Sequence, residues 1–127
     1  MPTPEPSALQ PGSAAERPVF DAGVLGAMFN DDAGLIAALL QTFVASTSTS
    51  LVEISRAIAA QDLSTVAALA HRVAGASRLS GAQTFGDMAA NLESAAKRDD
   101  LHAVQAALPD LADLWHRVQQ AMGPQPA

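Results

Sequence analysis

Apolar residues recur every three to four positions from Leu35 to Ile58, in a stretch that contains no proline or glycine up to Ala60. This spacing places the apolar side chains on one face of an α-helix, because a helix turns once every 3.6 residues. The serine and threonine run at 46–50 lowers helix propensity, and it can kink or split a helix. We nevertheless predict one long helix across it, which favours an all-α fold.

Four further segments carry helical signals. Asp21 is a candidate cap for a short first helix that runs through Met28 and Phe29, and the long helix has three candidate caps in a row, Asn30, Asp31 and Asp32. We predict the remaining helices at about residues 63–79, 83–98 and 100–122, with Gly81 in a turn and with Pro109 bending or interrupting the last helix. Short connections predict an antiparallel up-and-down four-helix bundle with a short additional N-terminal helix. The low aromatic content of 4% and the absence of tyrosine agree with thin, alanine-rich helices.

The chain length of 127 residues fits one domain. Residues 1–18 contain five of the eight prolines together with serine, glycine and glutamate, so we predict a flexible linker there. We predict the folded domain at 19–122 and a disordered tail at 123–127. Such flanks are typical of a module that follows, or was cut from, a larger protein.

Charge and composition remove several classes of function. The chain has 13 acidic and 7 basic residues and a formal net charge of -6, which opposes binding to nucleic acid and to anionic membranes. It has no cysteine, so disulfides, thiolate nucleophiles and cysteine-bound metals are absent. We identify no signal peptide and no apolar stretch that approaches a membrane span, and we predict a cytoplasmic protein.

One histidine lies in the otherwise bland segment LAHRVAGASRLSGA, residues 69–82. On a helical wheel, a stripe predicted to face the core contains Val66, Leu69, Val73, Ala76 and Ser80, with Ala70 and Ser77 at its border. His71 falls on the opposite side, where its neighbours are small: Ser64, Ala67, Ala68, Ala74 and Gly75. Gly75 is costly inside a helix and needs a compensating role. We predict that this face is exposed and is approached closely by another protein.

An exposed imidazole without a base or metal can act as a nucleophile, because part of it is neutral at cellular pH. Transfer of a phosphoryl group needs mainly positioning and charge compensation, and a docking protein with its own metal ion can supply both. Arg78 lies two turns beyond His71 on the same face, where its guanidinium can bind phosphate oxygens.

These residues resemble the histidine-containing phosphotransfer (HPt) domains of bacterial phosphorelays. The resemblance rests on Ala70, His71, Arg72, Val73, Ala74, Gly75, Gly81 and Ala82, which follow the family pattern of Ala-His, a variable residue, an aliphatic residue, usually lysine, then glycine. It extends over about Val19 to Met122. This sequence departs from the pattern at Ala74, where the family usually has lysine.

The resemblance implies that His71 accepts a phosphoryl group from a receiver-domain aspartyl-phosphate and passes it to another receiver aspartate. Because Ala74 replaces the usual lysine, we take Arg78 and Arg72 as candidates for stabilising the phosphate. From the small-residue face around His71 we expect Ser64, Ala67, Ala68, Ala74 and Gly75 to form the receiver-docking surface. We expect response-regulator receiver domains as partners, no cofactor except Mg²⁺ on the receiver, and a monomer. The domain fits the carboxyl end of a hybrid sensor kinase as well as a stand-alone protein.

Other readings of the sequence are weaker. The chain lacks a glycine-rich nucleotide loop, so we expect no autokinase activity. A metal site built from His71, His102 and His116 would need three distant residues to converge. The main alternative is a helical adaptor for protein interaction in which His71 is incidental.

Overall fold

The computed structural model describes residues 18–123, and within them it contains five α-helices and no strand. The predicted linker, apart from Pro18, and residues 124–127 of the predicted tail lie outside the described residues, and the domain boundaries stay a prediction. We number the helices in chain order: α1 is Gly23–Met28, α2 is Ala33–Ala59, α3 is Leu63–Ser80, α4 is Gln83–Lys97 and α5 is Leu101–Met122. The all-α class and the five helical segments are therefore confirmed.

The four longer helices surround one core. α3 packs against α2 on one side and against α4 on the other, while α5 contacts both α4 and α2. The α3–α4 interface is the most extensive of these contacts, and the short helix α1 packs against α3. α3 therefore packs against three other helices, α1, α2 and α4.

Three helices begin at an aspartate that caps them. The side chains of Asp32, Asp62 and Asp100 accept hydrogen bonds from the backbone N–H groups of Leu35, Thr65 and Ala103, at 3.1, 3.2 and 3.1 Å. Asp62 also accepts from the hydroxyl of Thr65 at 2.7 Å, and this bond, with the backbone bond, holds the pKa of Asp62 below its ordinary value. Each cap satisfies an N–H group that the helix itself leaves unpaired.

The entry to α1 differs slightly from the prediction. The carboxylate of Asp21 accepts the N–H of Gly23 at 2.9 Å, so it does bind the first residue of the helix. Ala22 nevertheless occupies the capping position itself, without a side-chain hydrogen bond. The N–H of Asp21 donates to the carbonyl of Gly81 at 2.8 Å, which ties the start of the fold to the α3–α4 turn.

The turns between the longer helices each contain one residue with positive φ. These residues are Gln61, Gly81 and Asp99, with φ of 57°, 102° and 60°. In each turn the next N–H bonds back to a carbonyl five residues earlier, for example from Ala82 to Ser77 at 2.8 Å. A side chain at Gly81 would also meet the carbonyl oxygen of Asp21, so glycine is required there for space as well as for φ.

The prediction of one long second helix is confirmed, since α2 continues through the serine and threonine run. Two of these polar residues, Thr47 and Ser50, are buried. α2 is also long and apolar enough to cross a membrane by length and composition alone, with a mean hydropathy of 1.6 over 18 residues. The prediction that no stretch reaches this level was wrong. Phe43, Ile54 and Ile58 of α2 are buried in the bundle core.

Pro109 does not interrupt the last helix, and in this respect the prediction was wrong. α5 is continuous from Leu101 to Met122 with Pro109 inside it. A proline removes one N–H and leaves the carbonyl four residues earlier without its helical partner. Pro109 and Gln105 are both exposed, so water can satisfy the freed carbonyl of Gln105.

An aromatic cluster joins three helices in the core. The ring of Trp115 on α5 makes an edge contact with Phe43 of α2, with ring centroids 5.4 Å apart, and a tilted contact with Phe85 of α4 at 5.2 Å. The indole N–H donates to the hydroxyl of Ser48 at 3.3 Å. Around this cluster lie fully buried aliphatic residues from every long helix, including Ile54, Val66, Leu92, Leu111 and Val118.

Candidate functional site

His71 is exposed, as predicted, but it lies beside the buried face of α3 and not opposite to it. Its side chain is 75% exposed. The buried residues of α3 are Leu63, Val66, Ala67, Leu69, Ala70, Val73, Ala74 and Ser77. At about 100° per residue they occupy an arc of roughly 160°, and Ala67, at the edge of that arc, is only about 40° from His71. The arc is this wide because α3 packs against α2 and α4 on two sides.

The structure therefore divides the predicted docking residues into two groups. Ser64, Ala68 and Gly75 are exposed around His71. Ala67 and Ala74 are 9% and 4% exposed, so placing them on the open face was wrong. Placing Ala76 in the core was wrong as well, because it is exposed, and Ser80 is only half-buried. Ala67 and Ala74 instead contribute to packing, because their small side chains allow the neighbouring helices to approach α3 closely.

A glutamate on α4 binds the imidazole of His71. Both carboxylate oxygens of Glu93 lie 3.2 Å from Nδ1 of His71. An ionised carboxylate can only accept hydrogen bonds, so Nδ1 is the nitrogen that carries the proton. In the neutral ring the lone pair is then on Nε2. The arrangement selects one tautomer and offers Nε2 as the nucleophile.

Lys97 binds the same carboxylate from one turn further along α4. Its Nζ lies 2.7 Å from Oε2 of Glu93, the oxygen that is also 3.2 Å from His71. The hydrogen bond from Lys97 is the main reason that the pKa of Glu93 lies below its ordinary value. The hydrogen bond from His71 lowers this pKa further, while partial burial of the carboxylate opposes both. Glu93 is therefore charged at neutral pH.

These side chains share an open groove between α3 and α4. It has a volume of about 940 Å³, and His71, Arg72, Glu93, Lys97 and Asp99 are the charged or titratable residues that line it. Its floor is formed by small residues and Leu63, and Ser64 and Ala68 are at its edge. A partner that reaches the imidazole therefore meets small side chains on the α3 side, at Ser64 and Ala68, and charged side chains at Arg72 and Lys97.

The two arginines predicted to stabilise phosphate have different surroundings. Arg72 is exposed next to His71 and lines the groove. Arg78 forms an ion pair with Asp87 on α4, with Nη2 at 2.8 Å and Nε at 3.3 Å from the same carboxylate oxygen. Its guanidinium thus has a partner, although the side chain is 45% exposed.

The other two histidines are far from this arrangement in the sequence and lie on α5. His102 and His116 are both exposed. Among residues 18–123, no three histidine, aspartate or glutamate side chains come together as a metal site would require. The alternative in which His71, His102 and His116 converge on a metal is therefore contradicted.

Sequence reasoning missed both Glu93 and Lys97. Glu93 is 22 residues from His71, and the two meet because α3 and α4 form a hairpin around Gly81. Contacts on the same side of the turn show this pairing, first Arg78 with Asp87 and then His71 with Glu93. The available signal was a Glu-Lys pair at i, i+4 in the helix after the turn, on the same side as the buried Ala89 and Ala96.

Comparison with known proteins places this geometry in a class. Residues 38–121 match the family described as Hpt domain. A solved structure, histidine-containing phosphotransfer protein B (HptB) from Pseudomonas aeruginosa PAO1, is similar over 84% of this chain and 90% of that chain, with 26% identity and a TM-score of 0.75. No curated protein sequence matches.

The match covers more than half of the chain, so the protein belongs to the Hpt family. It is a histidine phosphotransfer intermediate of a two-component phosphorelay, a class that passes phosphoryl groups on and does not phosphorylate itself from a nucleotide. Hpt proteins interact with receiver domains in such relays. The function predicted from the sequence is confirmed at this level.

Proposed function

We propose that His71 is the phosphorylated residue and that Nε2 is the reacting atom. The observation that carries this proposal is that Glu93 binds Nδ1 while the side chain is 75% exposed, so Nε2 is the nitrogen that is not bound to Glu93. Because Nδ1 keeps its proton throughout, no proton has to leave Nε2 before it attacks.

The transfer proceeds by exchange of one bond for another. The lone pair of Nε2 attacks the phosphorus of an aspartyl-phosphate on a receiver domain, the N–P bond forms, and the P–O bond to the aspartate breaks, so the carboxylate leaves with the electron pair. The ring then carries a proton on Nδ1 and a phosphoryl group on Nε2, and Glu93 stabilises its positive charge. In the second transfer another receiver aspartate attacks phosphorus, and Nε2 recovers its lone pair.

The exposed residues Ser64, Ala68 and Gly75 are proposed to contact the receiver, and the buried Ala67 and Ala74 to support that surface from below. We keep Arg72 and Arg78 as candidates for stabilising the phosphate, although Arg78 must leave Asp87 to do so. Mg²⁺ is proposed to bind only in the receiver. These assignments follow from the position of each residue relative to His71.

The arrangement of the bundle and the state of the protein belong to the same proposal. We propose that α2 to α5 run alternately up and down, a view supported by their short turns and by the paired contacts of α3 and α4. We propose a cytoplasmic monomer without membrane or nucleic acid contact, in line with the net charge of -6. The site is compatible with a domain of a hybrid sensor kinase and with a stand-alone protein.

The test is phosphoryl transfer from a radiolabelled, phosphorylated receiver domain to the purified chain. We expect acid-labile, alkali-stable phosphate on the wild type and on His116→Gln, which removes an exposed histidine of α5, but none on His71→Gln. Equal labelling of His71→Gln would contradict the proposal. Receiver binding that survives in all variants without any labelling would instead favour the adaptor function.

A further inference from the structure

The negative charge of Glu93 opposes phosphorylation of His71. A phosphoryl group on Nε2 brings up to two negative charges, and the carboxylate of Glu93 is already bound on the other side of the same ring. Like charges at such a distance repel each other, and the groove is open to water but bounded on one side by the bundle. A cation that offsets Glu93 would favour the phosphorylated state.

Helix α3 does not supply that cation one turn after His71. The residue there is Ala74, which is 4% exposed and has no charge. Arg78, one turn further, has its guanidinium bound to Asp87. Arg72 is nearby, but none of the hydrogen bonds or ion pairs described above joins it to Glu93.

Helix α4 supplies it from the opposite side of the groove. Lys97 and His71 share one oxygen of Glu93, at 2.7 and 3.2 Å respectively. The glutamate side chain is 14% exposed and that of Lys97 is 65% exposed, so the lysine is the more solvent-exposed partner of the pair. Lys97, Glu93 and His71 thus form one hydrogen-bonded chain across two helices.

We propose that Lys97 is a positioning residue of the phosphotransfer site, which holds the Glu93 carboxylate against Nδ1 of His71 and offsets its negative charge when Nε2 carries a phosphoryl group. This inference rests on the proposed function of His71. In this proposal the positive charge comes from Lys97 on α4, because α3 has the uncharged Ala74 one turn after His71. Lys97 acts through Glu93 and need not touch the phosphoryl group.

Loss of the lysine has three physical effects. The carboxylate loses its i, i+4 tether on α4 and is less well oriented toward the ring. The hydrogen bond from Lys97 is also the main reason that the pKa of Glu93 is low, so without it the carboxylate is protonated, and stops binding the Nδ1 proton, at a higher pH. While it is ionised, its uncompensated charge repels the incoming phosphoryl group. The other charged groups that line this groove are Arg72 from α3 and Asp99 from the turn after α4, and they are unchanged in such a variant.

The experiment uses phosphoramidate as a small phosphoryl donor, so that receiver docking does not enter the measurement. The rate of His71 labelling is measured between pH 5 and 9 for the wild type, Lys97→Met, Lys97→Arg and Arg98→Met. Arg98 is the matched control, because it is the next residue on the chain and also exposed, but it does not line the groove of His71. Thermal melts check that each variant is folded.

We expect Lys97→Met to be labelled about threefold to fivefold more slowly than the wild type, the range of an exposed ion pair. Its rate should also begin to fall at a higher pH when the solution is made acidic, a change that a loss of structure alone would not cause. Lys97→Arg should restore most of the rate, and Arg98→Met should resemble the wild type. In a Glu93→Gln background, Lys97→Met should have no further effect.

Two results separate this inference from the function on which it rests. If the wild type is labelled on His71 but Lys97→Met has the same rate and the same pH profile, Lys97 has no such role and the phosphotransfer function stands. An effect of Lys97→Met that persists in full with Glu93→Gln would also overturn the inference, because the lysine would then not act through Glu93. If His71 of the wild type is never labelled, both proposals fail.

Discussion

Gly75 lies one turn after His71 on the exposed side of α3, and a Cβ built there would meet nothing within 4 Å. A glycine inside a helix costs about 1 kcal/mol relative to alanine. Neither a turn nor a close contact within the described part of the fold requires it, so the open space above its Cα is available to a docking partner.

We predict that Gly75→Ala stabilises the protein while it slows transfer from a receiver. Unfolding free energy should rise by about 0.5 to 1 kcal/mol, because alanine restricts the unfolded chain and favours the helix. Labelling of His71 by phosphoramidate should be unchanged, because that donor is too small to need the space. Chemical denaturation measures the first effect, and parallel assays with the two donors measure the second.

Unchanged transfer from the receiver in this variant would show that the partner does not approach at Gly75.

At the scale of single residues, the sequence was sufficient to predict that His71 is exposed, but not what surrounds it. The exposure of His71 follows from its place outside the apolar stripe. Glu93 and Lys97 could not be found in this way, because the contact between His71 and Glu93 depends on which residues of α3 and α4 lie side by side across the Gly81 turn. The burial of Ala67 and Ala74 was missed because a helical wheel does not show how many neighbours a helix has.

Helices α3 and α4 are held at close range by a glycine on α4. A Cβ at Gly86 would lie 3.1 Å from the carbonyl oxygen of Ala74 and 2.8 Å from Cγ of Arg78. The alkyl part of Arg78 therefore passes over Gly86 before its guanidinium reaches Asp87. This contact lies between the Gly81 turn and the His71–Glu93 pair, so it sets the spacing at which the site residues meet.

We predict that Gly86→Ala destabilises the protein, in contrast to Gly75→Ala. The added methyl group must displace Cγ of Arg78 and also presses on the carbonyl oxygen of Ala74. Overpacking of this kind costs about 1 to 3 kcal/mol, which exceeds the gain in helix propensity. Thermal and urea unfolding of the two variants side by side measure the difference. A rise in stability for Gly86→Ala would mean that α3 and α4 can separate without cost, contrary to the close packing described here.

At the scale of helices, the residues at which helices begin were predicted better than the breaks within them. The aspartate caps at positions 32, 62 and 100 are local signals, because a carboxylate binds N–H groups of its own first turn. The effect of Pro109 was not local, since packing of α5 on two neighbours outweighs the loss of one exposed hydrogen bond. The buried Thr47 and Ser50 are explained in the same way, by packing that outweighs intrinsic propensity.

In the whole molecule, Trp115 connects α5 to α2 through Phe43 and to α4 through Phe85. It is the only tryptophan of the chain. Its fluorescence therefore reports on packing among three of the four long helices, whereas circular dichroism reports on helix content in all of them. Agreement between the two signals is a test of a single cooperative core.

We predict that the two unfolding curves coincide and that Phe85→Ala moves both together. Truncation of this fully buried ring should lower the unfolding free energy by about 3 to 5 kcal/mol. Ser48→Ala is the control, because it removes only the long hydrogen bond to the indole and should cost at most about 1 kcal/mol. Curves that separate in the wild type would show that part of the bundle unfolds on its own.

The His71 site is divided between two helices, with the imidazole on α3 and its carboxylate and ammonium partners on α4. Such a site exists only while those helices are docked. Local fraying at the C-terminal end of α4, where Lys97 is the last helical residue, would slow the proposed phosphotransfer before the protein melts. Signalling by this protein should consequently be more sensitive to heat and to mild denaturant than its fold is.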